Sequence, residues 1–210
     1  MDERELKSEA DLAEGLAVLC AHDTAFAEAA EVAGPLRLRR RPGGFQALLS
    51  AIVSQQVSVA SADAVWAKLE AAELTCPIRL SASDEEGLLA CGLSRQKRRY
   101  ARALAEAGLD FEAMEEAPTE VVIEELTAVT GIGVWTAEIY AMFSLGRADV
   151  FAAGDLALQE AARLVFGLDA RPSEKALRTM AAEWAPWRTV AATLFWQYYG
   201  VVKAREGVRT

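Results

Sequence analysis

The 210-residue sequence predicts an all-α fold. Its apolar residues recur at helical spacing, and capping residues, glycines and prolines separate the helical segments. No stretch shows the alternating pattern of a half-buried strand. Hydrophobic residues make up 52% of the chain, which is ample for a core, and no apolar run approaches the roughly 20 residues of a membrane span. We therefore expect a soluble globular protein that has no contact with a membrane.

The predicted helices follow one another without a tandem repeat. Residues 9–32 form a helical segment that Gly34 and Pro35 end. From Phe45 the apolar residues fall at i, i+3, i+4, i+7 and i+8, which predicts a central helix with one buried face. An acidic segment covers residues 110–116. Further helices are predicted at 60–72, 83–92, 95–107, 118–126, 134–144, 156–166, 173–184 and from 186 onward.

Two of these helices meet at the hairpin Gly131-Ile132-Gly133. Glycine adopts backbone angles that other residues avoid and lets another backbone approach closely. Successive amides of such a hairpin can point outward at the start of a helix, and this geometry suits a phosphate. The alternative interpretation is that the two glycines only join two packed helices.

The residues around the hairpin resemble the helix-hairpin-helix of the DNA glycosylase superfamily, and the resemblance runs from Phe45 to Tyr199. Trp135, Trp196 and the turn at 185–188 are similar to the 3-methyladenine DNA glycosylase II branch. The residues that carry the hairpin resemblance are Leu126, Val129, Thr130, Gly131, Ile132, Gly133, Thr136 and Ala137.

The resemblance implies that the amides of Gly131, Ile132 and Gly133 hold a DNA phosphate beside the lesion. It also implies a structural Na⁺ or K⁺ ion on the backbone oxygens of Thr127, Val129 and Ile132. No other cofactor is expected.

The family places a catalytic aspartate shortly after the second helix of the hairpin, and Asp155 occupies that position, with Asp149 as its nearest competitor. On the sequence alone Asp155 is also a helix N-cap. The two roles are compatible, because amides and the helix dipole at an N-terminus stabilise a carboxylate. A carboxylate near the sugar can stabilise the positive charge that develops as an N-glycosidic bond breaks.

Trp135 lies where strand-cutting relatives have a lysine that forms a Schiff base. A tryptophan cannot form an imine, so the sequence resembles the monofunctional branch, which uses water and leaves an abasic site. The alternative for Trp135 is a packed core aromatic.

The base pocket that the resemblance implies contains Trp135 and Trp196. Trp196 lies about 180° from Trp187 on the last helix, away from the main apolar stripe, although packing in a core is also open to it. If Trp135 and Trp196 face each other, a flipped base can stack between their rings. An alkylated purine with positive charge would then gain cation-π attraction. Leu156 and Ile139 stand where close relatives have aromatic residues, which leaves the substrate range open.

Gln56 and its neighbour Gln55 precede Val57-Ser58-Val59. The resemblance implies that Gln56 is a wedge that fills the gap left by a flipped base. The alternative is that the two side-chain amides satisfy the end of a helix.

The charge of the protein disfavours DNA binding, because a net charge of −9 repels a polyanion. Two basic clusters could supply a local positive surface, or they could be solvated faces. The clusters are Arg37, Arg39, Arg40 and Arg41, and Arg95, Lys97, Arg98 and Arg99.

The remaining polar residues exclude several kinds of site. The cysteines are odd in number and widely spaced, which suits a reducing compartment; they are Cys20, Cys76 and Cys91. The iron-sulfur relatives have four clustered cysteines after the catalytic region, whereas no cysteine follows Cys91 in this sequence. His22 is the only histidine, which excludes multi-histidine metal sites. The charged residues near the start do not resemble a signal peptide, so we expect a cytoplasmic protein that acts at the nucleoid.

The resemblance thus implies a monofunctional DNA glycosylase that flips out and excises alkylated purines of the 3-methyladenine type, in base excision repair. Its expected partner is double-stranded DNA with damaged bases, and it is expected to be a monomer. The family layout implies a helical domain at 45–149 and a second domain at 1–44 and 150–210 across a cleft. The alternative is a non-catalytic helix-hairpin-helix module that binds DNA or protein.

Overall fold

A computed structural model describes residues 3–207, with side chains to residue 205. Thirteen α-helices lie within this range, whose β pairing is limited to an isolated bridge between Glu5 and Arg147, so the all-α prediction is confirmed. The helices are α1 Glu9–His22, α2 Thr24–Ala33, α3 Gly44–Ser54, α4 Val59–Ala71, α5 Pro77–Ala82, α6 Glu85–Ala90, α7 Arg95–Glu106, α8 Phe111–Glu116, α9 Thr119–Ala128, α10 Val134–Tyr140, α11 Leu156–Val165, α12 Glu174–Ala181 and α13 Arg188–Gly207. None of these described helices has the length and hydropathy that crossing a membrane requires.

The chain divides into two compact units. The hairpin unit is Arg41–Tyr140, and the aspartate unit contains the described residues up to Arg40 and from Ala141 onward. The predicted boundary at 149 is later than this division, because residues 146–148 pair with the N-terminal segment: the amide of Leu6 donates to the carbonyl of Gly146 at 2.7 Å. The predicted outer limits, residues 1 and 210, lie outside the described range.

The hairpin unit is built around α3, which packs against α4, α7 and α10. The helical spacing predicted one buried face for α3, and that face is buried as expected. Its members are Phe45, Leu48, Leu49, Ile52 and Val53. The predicted central helix is therefore confirmed, and its last turn leads directly into the loop with Gln55 and Gln56.

The aspartate unit has an aromatic core between α2, α11 and α13. Its rings lie 5.2–6.3 Å apart, mostly edge to face, in the pairs that Phe26, Phe151, Phe166, Trp184 and Phe195 form. Phe151 anchors the segment before Asp155 in this core, and Ala152 and Ala153 are fully buried. The position of Asp155 is thus fixed by packing only four residues away.

Four segments differ from the prediction, and one of them is the acidic segment at 110–116, which forms the helix α8. The segment 9–32 is two helices, because Asp23 is extended and its carboxylate caps α2 by accepting from the amide of Ala25 at 2.9 Å. The helix predicted at 134–144 ends at Tyr140 and continues as a π-helical turn, Ala141–Leu145. Helix α5, which begins at Pro77, was not predicted.

Candidate active site

The hairpin between α9 and α10 is a tight turn inside the hairpin unit. The amide of Ile132 donates to the carbonyl of Val129 at 3.0 Å, and the side chain of Ile132 is buried. Gly133 is exposed, and α10 begins at the next residue. The turn therefore presents its glycine-rich tip to solvent while Ile132 holds it to the core.

The two glycines of the hairpin are not equivalent. Gly131 has φ +102°, and a Cβ at this position would lie 2.3 Å from Cγ of Tyr100. The fold itself therefore requires glycine at 131. A Cβ on Gly133 would have no atom within 4 Å, so folding does not explain that glycine.

The residues predicted to hold a monovalent cation adjoin this turn. The carbonyl of Val129 accepts from Ile132 as described, and the hydroxyl of Thr127 donates back to the carbonyl of Ile123 at 2.7 Å. Within the described range no group of three His, Cys, Asp or Glu side chains could hold a metal ion. The cation on the backbone oxygens of Thr127, Val129 and Ile132 remains a prediction.

The two glutamines after α3 take different conformations. Gln55 is half-buried, and its side-chain Nε2 donates to the carbonyl of Gly131 at 3.0 Å. Gln56 is exposed and has φ +57°, an uncommon backbone conformation for a residue other than glycine. The side-chain amide of Gln55 thus joins the loop to the hairpin, and Gln56 projects at the surface as a wedge would require.

Trp135 is 46% exposed at the start of α10 and is therefore no packed core aromatic. Ile139, one turn further along α10, is half-buried. Large aromatic side chains are usually buried, so a tryptophan exposed to this extent beside the hairpin is unusual.

Asp155 caps α11 in the aspartate unit. Its Oδ1 accepts from the amide of Ala157 at 2.8 Å and from the amide of Leu158 at 3.1 Å. The predicted N-cap is therefore present, and the carboxylate is half-buried. The next residue in sequence, Leu156, is 62% exposed, so an apolar side chain faces solvent at the first position of α11.

Trp196 on α13 joins Asp155. Its indole Nε1 lies 3.3 Å from Oδ1 of the aspartate, and its ring centroid lies 5.6 Å from that of Phe143. A direct hydrogen bond thus brings together two candidates that the sequence singled out, as it also does for Gln55 and Gly131. Trp196 thereby limits the orientations that the carboxylate can adopt.

Asp149, the competing aspartate, has a different environment. The guanidinium of Arg188 forms a bidentate ion pair with its carboxylate at 2.6 and 2.9 Å. A carboxylate held in this way is structural, because fork-to-fork pairing fixes its geometry and compensates its charge. The two aspartates thus differ in their partners, which are a guanidinium at Asp149 and two backbone amides with an indole at Asp155.

Part of each basic cluster is structural. Arg40 donates to the carbonyls of Leu145 and Ser144 at 3.1 Å each, and Lys97 donates to the carbonyl of Val53 at 2.6 Å. Arg98 is paired with Glu85 at 2.7 Å. The remaining members, Arg37, Arg39, Arg41, Arg95 and Arg99, are exposed, so any local positive surface depends on them.

Several residues at the site were missed by sequence reasoning. Gln159 donates to the carbonyl of Ala153 at 2.9 Å, and the hydroxyl of Thr189 donates to the carbonyl of Arg147 at 2.6 Å, so both hold the segment that carries Asp155. Tyr100 packs on Gly131, and Phe143 contacts Trp196. Gln159 had a sequence signal, because it is a polar residue on the apolar face of α11.

Comparison with known proteins identifies the class to which this hairpin and aspartate belong. Residues 49–186 match the model of the HhH-GPD superfamily of base excision DNA repair proteins. The match covers more than half of the chain, so the chain belongs to this superfamily.

Individual relatives agree with this assignment. DNA-3-methyladenine glycosylase 1 of Schizosaccharomyces pombe is 30% identical over 78% of the chain and 75% of its own length. A crystal structure of a DNA-3-methyladenine glycosidase from Bacillus halodurans has a TM-score of 0.82 and 34% identity, with both chains covered completely. The S. pombe 3-methyladenine DNA glycosylase Mag1, in complex with abasic DNA, has a TM-score of 0.76 and 28% identity, and the match covers 88% of this chain and 95% of Mag1.

Proposed function

We propose that the protein is a monofunctional DNA glycosylase that flips a damaged base out of duplex DNA and hydrolyses its N-glycosidic bond. Alkylated purines of the 3-methyladenine type are the proposed substrates. The observation that carries the proposal is the carboxylate of Asp155, which two amides of α11 and the indole of Trp196 hold in one orientation. The names of the relatives support the same substrate class.

The proposed role of Asp155 is electrostatic. As the bond between sugar and base breaks, positive charge develops on the sugar, and a fixed carboxylate stabilises that charge without reorganising. The same carboxylate orients the attacking water. Three hydrogen-bond donors on Oδ1 restrict its rotation, which favours one productive geometry over several unproductive ones.

The proposed substrates match this single carboxylate. An alkylated purine carries positive charge and leaves as a neutral base, so its departure requires no proton from the protein. Trp135, exposed at the start of α10, offers a ring face on which a cationic base can stack. Leu156, exposed beside Asp155, offers an apolar surface for base or sugar.

Binding of the duplex is assigned to the hairpin unit. We propose that the amides of Gly131, Ile132 and Gly133 bind a phosphate and that Gln56 fills the gap left by the flipped base. The absence of any atom within 4 Å of a Cβ at Gly133 supports the first role, since that space is open to a ligand. The exposure and left-handed backbone of Gln56 support the second.

The competing function is a non-catalytic helix-hairpin-helix module, which the net charge of −9 favours. A module that only binds does not require an aspartate whose carboxylate a tryptophan orients. Release of alkylated bases decides between the two functions. Duplex DNA treated with a methylating agent is incubated with the protein, and free 3-methyladenine is measured by chromatography. We expect release that depends on protein concentration; binding of the duplex without any base release would support the module instead.

Borohydride treatment during turnover is expected to trap no covalent complex of protein and DNA. Trp135 stands where relatives that cut the strand have a lysine, and an indole forms no imine for borohydride to reduce. The measurement is a denaturing gel of labelled abasic and methylated duplexes after reduction, with a bifunctional glycosylase as the positive control. A trapped band would show that another amine performs lyase chemistry and would contradict the monofunctional assignment.

A further inference from the structure

Gln55 connects two loops that are distant in sequence. Its Nε2 donates to the carbonyl of Gly131 at 3.0 Å, across a separation of 76 residues. The backbone of Gln55 ends α3, and the next residue, Gln56, has φ +57°. The loop at 55–58, between α3 and α4, is called the Gln56 loop here. One hydrogen bond therefore joins the start of the Gln56 loop to the tip of the hairpin.

Helix α7 supports both ends of this connection. Lys97 donates to the carbonyl of Val53, in the last turn of α3, at 2.6 Å. Tyr100, one turn later on α7, packs so closely on Gly131 that a Cβ there would lie 2.3 Å from its ring. Tyr100 is itself held by Gln96, whose Nε2 lies 2.6 Å from the phenolic oxygen. The hairpin and the helical turn that precedes the Gln56 loop thus both contact α7.

The two glutamines face different environments, which separates their roles. Gln55 is half-buried and its side chain donates a hydrogen bond to the carbonyl of Gly131, whereas Gln56 is exposed. An isolated loop can shift by fractions of an ångström, and a displacement of about 1 Å in a catalytic arrangement can slow a reaction about 100-fold. A hydrogen bond between the loops restricts such shifts.

We propose that Gln55 is a positioning residue that fixes the Gln56 loop relative to the hairpin, so that phosphate binding and displacement of the base occur in one arrangement. The inference rests on the proposed function, because both loops must contact the same duplex. It assigns to Gln55 an action on Gln56 and on the hairpin, and no contact of its own with the reacting atoms.

Two variants test the hydrogen bond itself. Gln55→Met keeps the length of the side chain and removes the donor. Gln55→Glu keeps the shape. Its carboxylate repels the carbonyl of Gly131 at pH 8, whereas that carbonyl and half-burial raise its pKa above the ordinary value of about 4.3, so that at pH 5 a large part is protonated and can donate. Gln46→Met is the matched control, because Gln46 is exposed and lies at the opposite end of the same helix from Gln55.

The main measurement uses the fluorescence of 2-aminopurine placed next to the target nucleotide in a duplex. Fluorescence rises when the neighbouring base leaves the stack, and it reports displacement without requiring chemistry. We expect Gln55→Met to bind the duplex within about threefold of wild type, to lose most of the fluorescence change, and to excise the base roughly 10- to 100-fold more slowly in single turnover. The fluorescence change of Gln55→Glu, expressed as a fraction of the wild-type change at the same pH, should be restored at pH 5 but not at pH 8. Gln46→Met should give the wild-type fluorescence change and excision rate.

Two results would overturn the inference. One is a Gln55→Met protein with the fluorescence change and excision rate of wild type. The other is a loss of affinity, fluorescence and thermal stability in proportion, without recovery of Gln55→Glu at low pH, which would make the hydrogen bond merely structural. A wild-type protein that changes the fluorescence but releases no base would contradict the proposed function and leave the Gln55 test intact.

Discussion

Asp155→Asn is expected to slow base excision by about 100- to 1,000-fold, or roughly 2.7 to 4 kcal/mol of barrier. The amide keeps the size of the carboxylate and can still accept from the amides of Ala157 and Leu158, so the cap of α11 remains. It lacks the negative charge that opposes the developing positive charge on the sugar. The measurement is single-turnover excision from a methylated duplex, together with the affinity for an abasic duplex, which should stay within about threefold.

Asp23→Asn is the matched control for this substitution. Asp23 also caps a helix of the same unit through its carboxylate, but it lies far along the chain from α11. We expect both variants to unfold within a few degrees of wild type, because Asn and Asp are nearly equal as N-caps. Excision by Asp155→Asn within about tenfold of wild type, or about 1.4 kcal/mol, would reject this residue as the reactive carboxylate.

The fold was predictable wherever local chemistry defines a helix. The buried face of α3 follows from the spacing of its apolar residues, and Ser94 caps α7 by accepting from the amide of Lys97 at 3.3 Å. The all-α class and the superfamily are accordingly confirmed. The break at Asp23 was missed because the apolar pattern continues on both sides of it.

The π-helical turn after α10 could not be predicted, because its determinants lie elsewhere in the sequence. Arg40 donates to the carbonyls of Ser144 and Leu145 across more than 100 residues. Gly146 follows with φ +75°, and its carbonyl accepts from the amide of Leu6. These contacts provide hydrogen-bond donors for the backbone carbonyls of residues 144–146. Local sequence patterns do not predict them, because the donors are distant in sequence.

The candidate site was predicted as individual residues but not as contacts. Asp155 and Trp196 were both singled out, yet the hydrogen bond between them spans 41 residues. The sequence indicated a stacking role for Trp196, and the structure adds an orienting role. Gln55 was considered only as the neighbour of a wedge, because a bond to Gly131 has no counterpart in local spacing.

Substitutions of the two hairpin glycines are expected to have different effects, one on the stability of the fold and the other on the affinity for DNA. Gly131→Ala should lose roughly 2 to 5 kcal/mol of stability, because its Cβ collides with Tyr100 and the backbone angle of +102° is strained for alanine. Gly133→Ala should fold as wild type, since its Cβ meets no atom within 4 Å, and yet bind duplex DNA at least about tenfold more weakly, or about 1.4 kcal/mol. The loss should be equal for damaged and undamaged duplexes, because phosphate contacts position a protein without reading sequence.

Gly200→Ala is the matched control for Gly133→Ala, because Gly200 is exposed and a Cβ there also meets no atom within 4 Å. Thermal unfolding followed by circular dichroism checks the fold, and fluorescence anisotropy of a labelled duplex gives the affinity. A Cβ on Gly133 can weaken binding only by keeping a ligand away, since nothing in the protein contacts it. Wild-type affinity in a folded Gly133→Ala protein would therefore reduce the hairpin to a connection between α9 and α10 and would contradict the proposed binding of a phosphate by its amides.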